Sequence, residues 1–292
     1  MSTEPDEVEI DGAGHTLAAA PAIGRRRKRF SRLPMRIVLP NLVTLLALCL
    51  GLTSIRFAAE GRFETAVVFI VAAAILDGLD GRLARALDGS TRFGAELDSL
   101  ADFVDFGVAP GLLLYFWSLS EIKSFGWFAA MVFAIACALR LARFNVMIDD
   151  PDKPAWNAHF FVGMPAPAGA IVSMLPIYLH YSVAGLPSTH LLVAVEIAYV
   201  LLVAFLMVSR IPHFSGKQIG RVPREYFIPV LFGVAALILL LATFPMEVLV
   251  ALSLAYLGLI PFSYRSYQAY QRAGEAEAAA AVATPPAPTF QG

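Results

Sequence analysis

Residues 76–102 read LDGLDGRLARALDGSTRFGAELDSLAD and separate two apolar stretches of the chain. Four of the five aspartates in this segment form two pairs, Asp77 with Asp80 and Asp98 with Asp102. The first two are three residues apart and the last two are four apart, so on helices each pair shares one face. Residues 88–90, Asp-Gly-Ser, form a turn sequence between the two pairs. The segment therefore predicts two antiparallel helices that each present two carboxylates.

The lengths of the flanking apolar runs place both carboxylate pairs at a similar depth in a membrane. At 1.5 Å per residue, the run 65–76 is roughly 18 Å long and the run 106–119 is roughly 21 Å long. The hydrocarbon core is about 30 Å thick, so both pairs lie inside it, toward the cytosolic side. Four carboxylates at one depth are costly unless a cation neutralises them.

A divalent metal is the natural counterion for such a cluster, because Mg²⁺ commonly binds carboxylates together with substrate phosphates. Glycines beside the acids, at positions 78, 81 and 94, leave room for a bulky ligand. The alternative is a polar hairpin with partial salt bridges to Arg82, Arg85 and Arg92. That alternative explains neither the spacing of the acids nor the glycines.

The same segment resembles the signature of the CDP-alcohol phosphotransferase family. The matching positions are Asp77, Asp80, Gly81, Ala84, Arg85, Gly94, Asp98 and Asp102. The resemblance implies that the four aspartates hold two divalent ions, Mg²⁺ or Mn²⁺, and that Asp102 is the general base on the incoming alcohol. Pro40-Asn41-x-x-Thr44 resembles a second family feature beside the nucleotide, although Pro-Asn is also ordinary capping chemistry at a helix start. The residues implied to contact the CDP-lipid are Asn41, Thr44, Gly81, Ala84, Arg85 and Gly94.

The composition places the chain in a membrane. Its mean hydropathy is +0.67 and only 15% of its residues are charged, which is too apolar for an ordinary soluble domain. Eight segments approach the roughly 20 apolar residues that a transmembrane helix needs. They are 37–56, 64–87, 92–118, 125–145, 163–183, 188–208, 226–244 and 246–264. We therefore expect an all-α membrane protein, a polytopic helical bundle with about eight transmembrane helices.

Charge and composition also predict how the rest of the chain is organised. We expect a cytoplasmic N-terminal tail over 1–34, a membrane domain over 35–265, and a disordered Ala/Pro-rich tail over 266–292. Lys and Arg concentrate in alternate loops, which predicts cytoplasmic termini and an active site facing the cytoplasm, in the inner (cytoplasmic) cell membrane. The basic stretch 25–32 either binds anionic lipid headgroups or sets topology alone.

Several kinds of partner are excluded or expected on the same grounds. The net charge of −1 argues against a nucleic-acid partner. Cys49 and Cys137 lie in apolar runs, where we expect packing residues and neither a disulfide nor a zinc site. Membrane lipids are expected partners, and we also expect a homodimer.

Three further segments resemble the phosphatidylserine synthase branch of the family, over residues 99–110, 140–145 and 161–168. This resemblance implies CDP-diacylglycerol and L-serine as the substrates. Arg140 and Arg143, with Asn145 beside them, could hold the serine carboxylate or the lipid phosphate, because arginine binds either group bidentately. The alternative is that these arginines only anchor the helix on its basic side.

Asp105 departs from the pattern of that branch, which has a small uncharged polar residue there. It is either a fifth acidic group that tunes the site or a solvated neighbour without a role. Two rival functions also remain. One is the same chemistry with another acceptor, such as glycerol 3-phosphate, inositol phosphate or choline. The other is a cation transporter, which the single acidic hairpin and the lack of internal repeats disfavour.

Overall fold

The computed structural model describes residues 35–89, 91–148, 160–182, 185, 190–214 and 226–283. The predicted N-terminal tail, with its basic stretch 25–32, lies outside the described residues. Within them, nearly all of the chain is helical. The only strands in these ranges, β1 (Phe160–Val162) and β2 (Pro212–Phe214), pair antiparallel with Phe161 opposite His213.

The helices follow one another in the order of the predicted apolar segments. They are α1 (Met35–Ala59), α2 (Phe63–Ala86), α3 (Arg92–Phe103), a π-helical turn (Val104–Val108), α4 (Ala109–Trp117), a 3₁₀ turn (Leu119–Ile122), α5 (Lys123–Ile148), α6 (Ala166–Ser173), α7 (Leu175–Tyr181), α8 (His190–Val208), α9 (Phe227–Thr243) and α10 (Pro245–Ala283). Each of the eight predicted segments coincides with one helix or with consecutive helices. The all-α class is confirmed for the described residues.

Four helical stretches are long and apolar enough to cross a membrane, which supports membrane integration of the chain. They are Met35–Ala59, Arg92–Trp117, Leu119–Met147 and Pro245–Ala269. Leu192–Val208 and Ile228–Thr243 are apolar but shorter. The predicted number of eight spans and the side on which the termini lie stay predictions.

Two elements differ from the predicted segments. The segment 163–183 is divided at Met174 into α6 and α7. Pro176 in the first turn of α7 explains the break, since proline cannot donate the backbone hydrogen bond that would continue the helix. α10 remains helical to Ala283, beyond the tail boundary that we expected at residue 265. Its Ala- and Glu-rich end favours helix, and residues 284–292 lie outside the described part.

The buried face of α2 explains why the acids point into the bundle. Ala66, Ile70 and Ala73 are fully buried and follow the 4–3 spacing of a single helix face. Asp77 and Asp80 continue that spacing directly. The face that packs the core in the first half of α2 is therefore the face that carries the carboxylates in its second half.

Hydrogen bonds between helices hold this core together. The Ser54 hydroxyl of α1 donates to the Ala66 carbonyl of α2 at 2.9 Å. At the end of α4, the Ser118 hydroxyl donates to Glu196 of α8 at 2.5 Å, and both residues are buried. Because buried polar groups need partners, each bond fixes how its two helices pack.

Candidate active site

The turn between α2 and α3 is stabilised by local hydrogen bonds. The Gly89 N–H donates back into the last turn of α2 at 3.0 Å. Asp88 adopts φ 49°, a left-handed conformation that aspartate tolerates better than most residues. The Thr91 hydroxyl caps α3 by accepting a hydrogen bond from the Gly94 N–H at 3.0 Å. The predicted turn at 88–90 thus lies between the two helices, with Ser90 outside the described residues.

Three of the four aspartates come together between α2 and α3. One carboxylate oxygen each of Asp77, Asp98 and Asp102 lies within 4.8 Å of the other two. Oxygens that share one Mg²⁺ at about 2.1 Å are at most about 4.2 Å apart, so small side-chain rotations bring this set onto a common ion. The cluster therefore fits a divalent metal both in ligand type and in spacing.

Asp80 lies beside this cluster, not within it. It is only 3% exposed, and its Oδ2 accepts a hydrogen bond from the Thr44 hydroxyl of α1 at 2.7 Å. It also interacts electrostatically with Asp77 and Asp98. Asp80 is thereby held at the edge of the acid cluster, where it could serve a second ion.

Salt bridges from arginines to the four aspartates, which the polar-hairpin interpretation required, are absent from the described part of the chain. The one ion pair found there joins Arg56 to Glu60 at 2.8 Å, on exposed side chains. Arg82, Arg85 and Arg92 pair with none of the four acids. The negative charge of the cluster is therefore not neutralised in the way that the polar-hairpin interpretation required.

A cavity of about 440 Å³ opens next to the acids, between α1 and the α2–α3 hairpin. All six residues that the family resemblance assigned to the CDP-lipid line it. Its lining residues are Pro40, Asn41, Thr44, Asp80, Gly81, Ala84, Arg85, Gly89, Thr91, Gly94, Ala95 and Asp98. The structure thus brings the predicted residues to one cavity, while their contact with a CDP-lipid stays a prediction.

Gly94 keeps this cavity in its shape. A Cβ added there would lie 2.8 Å from Asn41 Oδ1 and 3.2 Å from Thr91 Oγ1, both closer than ordinary van der Waals contact. The missing side chain allows α3 to approach α1 closely enough to form the cavity wall. Any larger residue at position 94 would separate the two helices or displace Asn41.

The three residues predicted to bind serine or phosphate lie in different surroundings. Arg140 is 8% exposed, interacts electrostatically with Asp77 and Asp102, and stacks over the Phe144 ring at 5.1 Å. Arg143 instead donates to the Val208 carbonyl at the end of α8, at 2.6 Å. Asn145 donates to the Ser99 hydroxyl at 2.9 Å. Of the three, only Arg140 interacts electrostatically with the acid cluster.

Asp105 is buried within the π-helical turn. It is 1% exposed, and its Oδ1 has no hydrogen-bond partner among the described residues. A Cβ on Gly51 of α1 would lie 2.0 Å from this oxygen, so the carboxyl packs directly on the α1 backbone. Asp105 also interacts electrostatically with Asp77. Its burial rules out the solvated-neighbour interpretation.

A comparison with known families matches the part of the chain that carries the four aspartates. The model of the CDP-alcohol phosphatidyltransferase family matches residues 37–209, which include the whole acidic hairpin and Arg140. The chain belongs to this family.

Several named CDP-alcohol phosphatidyltransferases are similar to this chain. The CDP-diacylglycerol–serine O-phosphatidyltransferase of Mycobacterium leprae (strain TN) is 43% identical over 231 residues, which cover 77% of this chain and 74% of that protein. The protein of the same name from Helicobacter pylori (strain ATCC 700392 / 26695) is 36% identical, over 62% of this chain and 73% of the relative. The one from Bacillus subtilis (strain 168) is 34% identical, over 61% of this chain and 91% of the relative.

One residue near the site of this CDP-alcohol phosphatidyltransferase escaped the sequence analysis. Tyr256 of α10 interacts electrostatically with Arg140, and its hydroxyl oxygen is enclosed by the protein. It lies beyond residue 209, where the family match ends. A single tyrosine in an apolar helix has no spacing signal, so only the packing of α10 could reveal it.

Proposed function

We propose that this chain transfers the phosphatidyl group of CDP-diacylglycerol to L-serine and releases CMP. The observation that carries the proposal is the cluster of Asp77, Asp98 and Asp102 beside a cavity of about 440 Å³. A carboxylate cluster of this kind suits phosphoryl chemistry with divalent ions. The relatives described above are named for transfer to serine, which supports serine as the acceptor.

In this proposal the metal-holding residues are Asp77, Asp98 and Asp102, with Asp80 completing a site for two ions, Mg²⁺ or Mn²⁺. When bound, such ions neutralise the diphosphate and stabilise the charge that develops on the leaving CMP. The protein contributes the fixed positions of the carboxylates. The Thr44 hydroxyl holds Asp80, and the buried face of α2 directs Asp77 into the bundle.

Asp102 takes the proton in the transfer step. Its carboxylate accepts the proton of the serine hydroxyl, and the serine oxygen forms a bond to the phosphorus that carries diacylglycerol. The bond from that phosphorus to the CMP oxygen breaks, and CMP leaves with the electron pair. Phosphatidylserine and CMP are the products.

The cavity would bind the cytidine and diphosphate end of the lipid, with Asn41, Thr44 and Arg85 as its polar contacts and Gly81, Ala84 and Gly94 as the close-packed wall. Arg140 would bind the serine carboxylate, because it is a buried cation next to Asp102. Arg143 and Asn145, engaged with α8 and Ser99, would position the end of α5.

The proposal also includes the predicted membrane topology, the bounds of the membrane domain and the oligomeric state. These are eight spans in the inner membrane, cytoplasmic termini, an active site that faces the cytoplasm, a membrane domain over 35–265, and a homodimer. The four long apolar stretches and the basic inner loops support this topology. Labelling of single introduced cysteines from each side of the membrane would test it, and cross-linking in native membranes would test the dimer.

The experiment that tests the function uses the purified chain in liposomes that contain CDP-diacylglycerol. L-serine, glycerol 3-phosphate, inositol phosphate and choline are supplied separately, and both CMP release and labelled lipid are measured. We expect CMP and phosphatidylserine with L-serine, and neither product from an Asp98→Asn control. If CMP were released only with another acceptor, that acceptor would take the place of serine in the proposal. If no acceptor caused release of CMP, the proposed transferase activity would be rejected.

A further inference from the structure

The helix α3 carries two of the three clustered acids, Asp98 and Asp102, but buries little of its own surface. Of its 12 residues only Ala101 is buried, and Leu100 beside it is 66% exposed. Because apolar burial is the main force that holds a helix in one orientation, packing does little to fix the rotation of α3 about its axis. Polar contacts with its neighbours must therefore determine where its carboxylates point.

A hydrogen bond from the end of α5 holds α3 next to the acids. Asn145 Nδ2 donates to Ser99 Oγ at 2.9 Å, and Ser99 Oγ donates in turn to the Ala95 carbonyl at 3.0 Å. The serine hydroxyl thus uses its one proton within α3 and accepts one bond from α5, which determines its position from both sides. The residues of the first bond are 46 apart in the sequence, so the bond joins two separate helices.

Ser99 lies on the flank of the face of α3 that carries the acids. At 100° per residue it is about 100° around the helix from Asp98 and about 60° from Asp102. The end of α5 is itself fixed to α8, because Arg143 donates to the Val208 carbonyl at 2.6 Å. A bond from this fixed helix end to the flank of α3 resists the rotation that would carry both carboxylates away from their partner on α2.

From these contacts we propose that Asn145 is a positioning residue for the metal site. Through Ser99 it fixes the rotation of α3, and it thereby sets the affinity of Asp98 and Asp102 for a divalent ion. The inference rests on the metal site of the proposed function. Carboxylates repel one another until the ion binds, so in a chain without this bond the ion would have to restore an arrangement that the wild type holds in advance.

The test is Mn²⁺ binding to the purified chain in detergent without substrate, measured from the electron paramagnetic resonance signal of the free ion. Asn145→Ala and Ser99→Ala each remove the bond, and each should raise the Mn²⁺ dissociation constant about 3- to 10-fold, the range that one hydrogen bond supports. The double variant should raise it no further than either single variant, because both changes remove the same contact. Ser99→Thr keeps the hydroxyl and should bind Mn²⁺ like the wild type.

The matched control is Thr53→Ala. The Thr53 hydroxyl donates to the carbonyl four residues earlier in its own helix, at 2.6 Å, as the Ser99 hydroxyl does in α3. Its removal should leave Mn²⁺ binding unchanged, which separates the bond between helices from the one within a helix. The melting temperature of each metal-free variant should stay within about 2 °C of the wild type, because both residues of the bond are exposed.

The outcomes separate this inference from the proposed function. Unchanged Mn²⁺ affinity in both alanine variants would overturn the role of Asn145, and so would additive effects in the double variant. A higher KM for L-serine in Asn145→Ala, at unchanged Mn²⁺ affinity and with Ser99→Ala silent, would also overturn it, because Asn145 would then bind the acceptor. A wild type that binds no Mn²⁺ would overturn both proposals. Since no substrate is present, the result does not depend on which acceptor the chain uses.

Discussion

Replacing Arg140 and Arg143 one at a time should separate two arginines that lie three residues apart on α5. Arg140→Ala removes a buried cation that interacts electrostatically with Asp102, and with it the proposed charge-assisted contact to the serine carboxylate. Such a contact contributes about 1.5–3 kcal/mol, which corresponds to a rise of about 10- to 150-fold in the KM for serine. The KM for CDP-diacylglycerol should change little, because the cavity that we propose for the nucleotide lies on the α1 side of the acids.

Arg143→Ala should act on stability instead. It removes the 2.6 Å hydrogen bond to the Val208 carbonyl and leaves the end of α8 without that partner. The cost is about 1–3 kcal/mol of folding free energy, so the melting temperature in detergent should fall while the KM for serine stays within about twofold. Arg140→Lys should restore only part of the serine affinity, since an ammonium lacks the fork geometry.

Steady-state kinetics with each substrate varied separately, together with thermal unfolding of the same preparations, measures both effects. Equal rises in the serine KM for the two alanine variants would refute the assignment. A rise confined to the lipid KM in Arg140→Ala would assign this residue to the lipid phosphate.

Four further predictions address the acids and the helices around them. Asp98→Asn should lower kcat by at least about 100-fold, because loss of even an outer partner of a metal ligand costs about 10- to 100-fold; CMP release measures it. A chelator should abolish activity, and added Mg²⁺ or Mn²⁺ should restore it. Thr44→Val removes the 2.7 Å hydrogen bond to Asp80 and should lower turnover about 10-fold or more at saturating serine. Gly51→Ala, whose Cβ would lie 2.0 Å from Asp105 Oδ1, should cost about 1–3 kcal/mol of stability, and Asp105→Ala in the same chain should recover part of it.

The contrary results are equally specific. Near-native turnover by folded Asp98→Asn, or full activity in protein that metal analysis shows to be free of ions, would reject the metal site. A Thr44→Val variant with unchanged kinetics would mean that Asp80 needs no support from α1. Additive stability losses in the Gly51 and Asp105 double variant would mean that the two residues do not contact each other.

The helices and the acid cluster were predictable from local features of the sequence. Hydropathy located all eight apolar segments, because a long run of apolar residues has few alternatives to a buried or membrane helix. The spacing of the aspartates predicted which of them share a face, and the structure brings Asp77, Asp98 and Asp102 together. Asp80 lies beside this set, where it accepts a hydrogen bond from the Thr44 hydroxyl of α1.

Other features depend on contacts between distant parts of the chain. Arg140 and Arg143 have similar positions on one helix, and only the place where α8 ends directs Arg143 away from the acids. Tyr256 of α10 interacts electrostatically with Arg140 of α5, and no motif records this pairing. The burial of Asp105 depends on a glycine in α1, more than fifty residues earlier in the chain.

A one-residue deletion within Val104–Val108 would convert the π-helical turn into an α-helical one. A π turn contains one residue more than the α-helical turn that it replaces, so it acts as an insertion in an otherwise continuous helix. If the turn became α-helical with all of its residues kept, everything after it would instead be rotated by about 100° relative to Asp98 and Asp102. Leu113, which is fully buried, would then face away from the core while the acids kept their places. The wider turn therefore keeps two halves of one helix in register, so this stretch should tolerate the loss of one residue better than the gain of one.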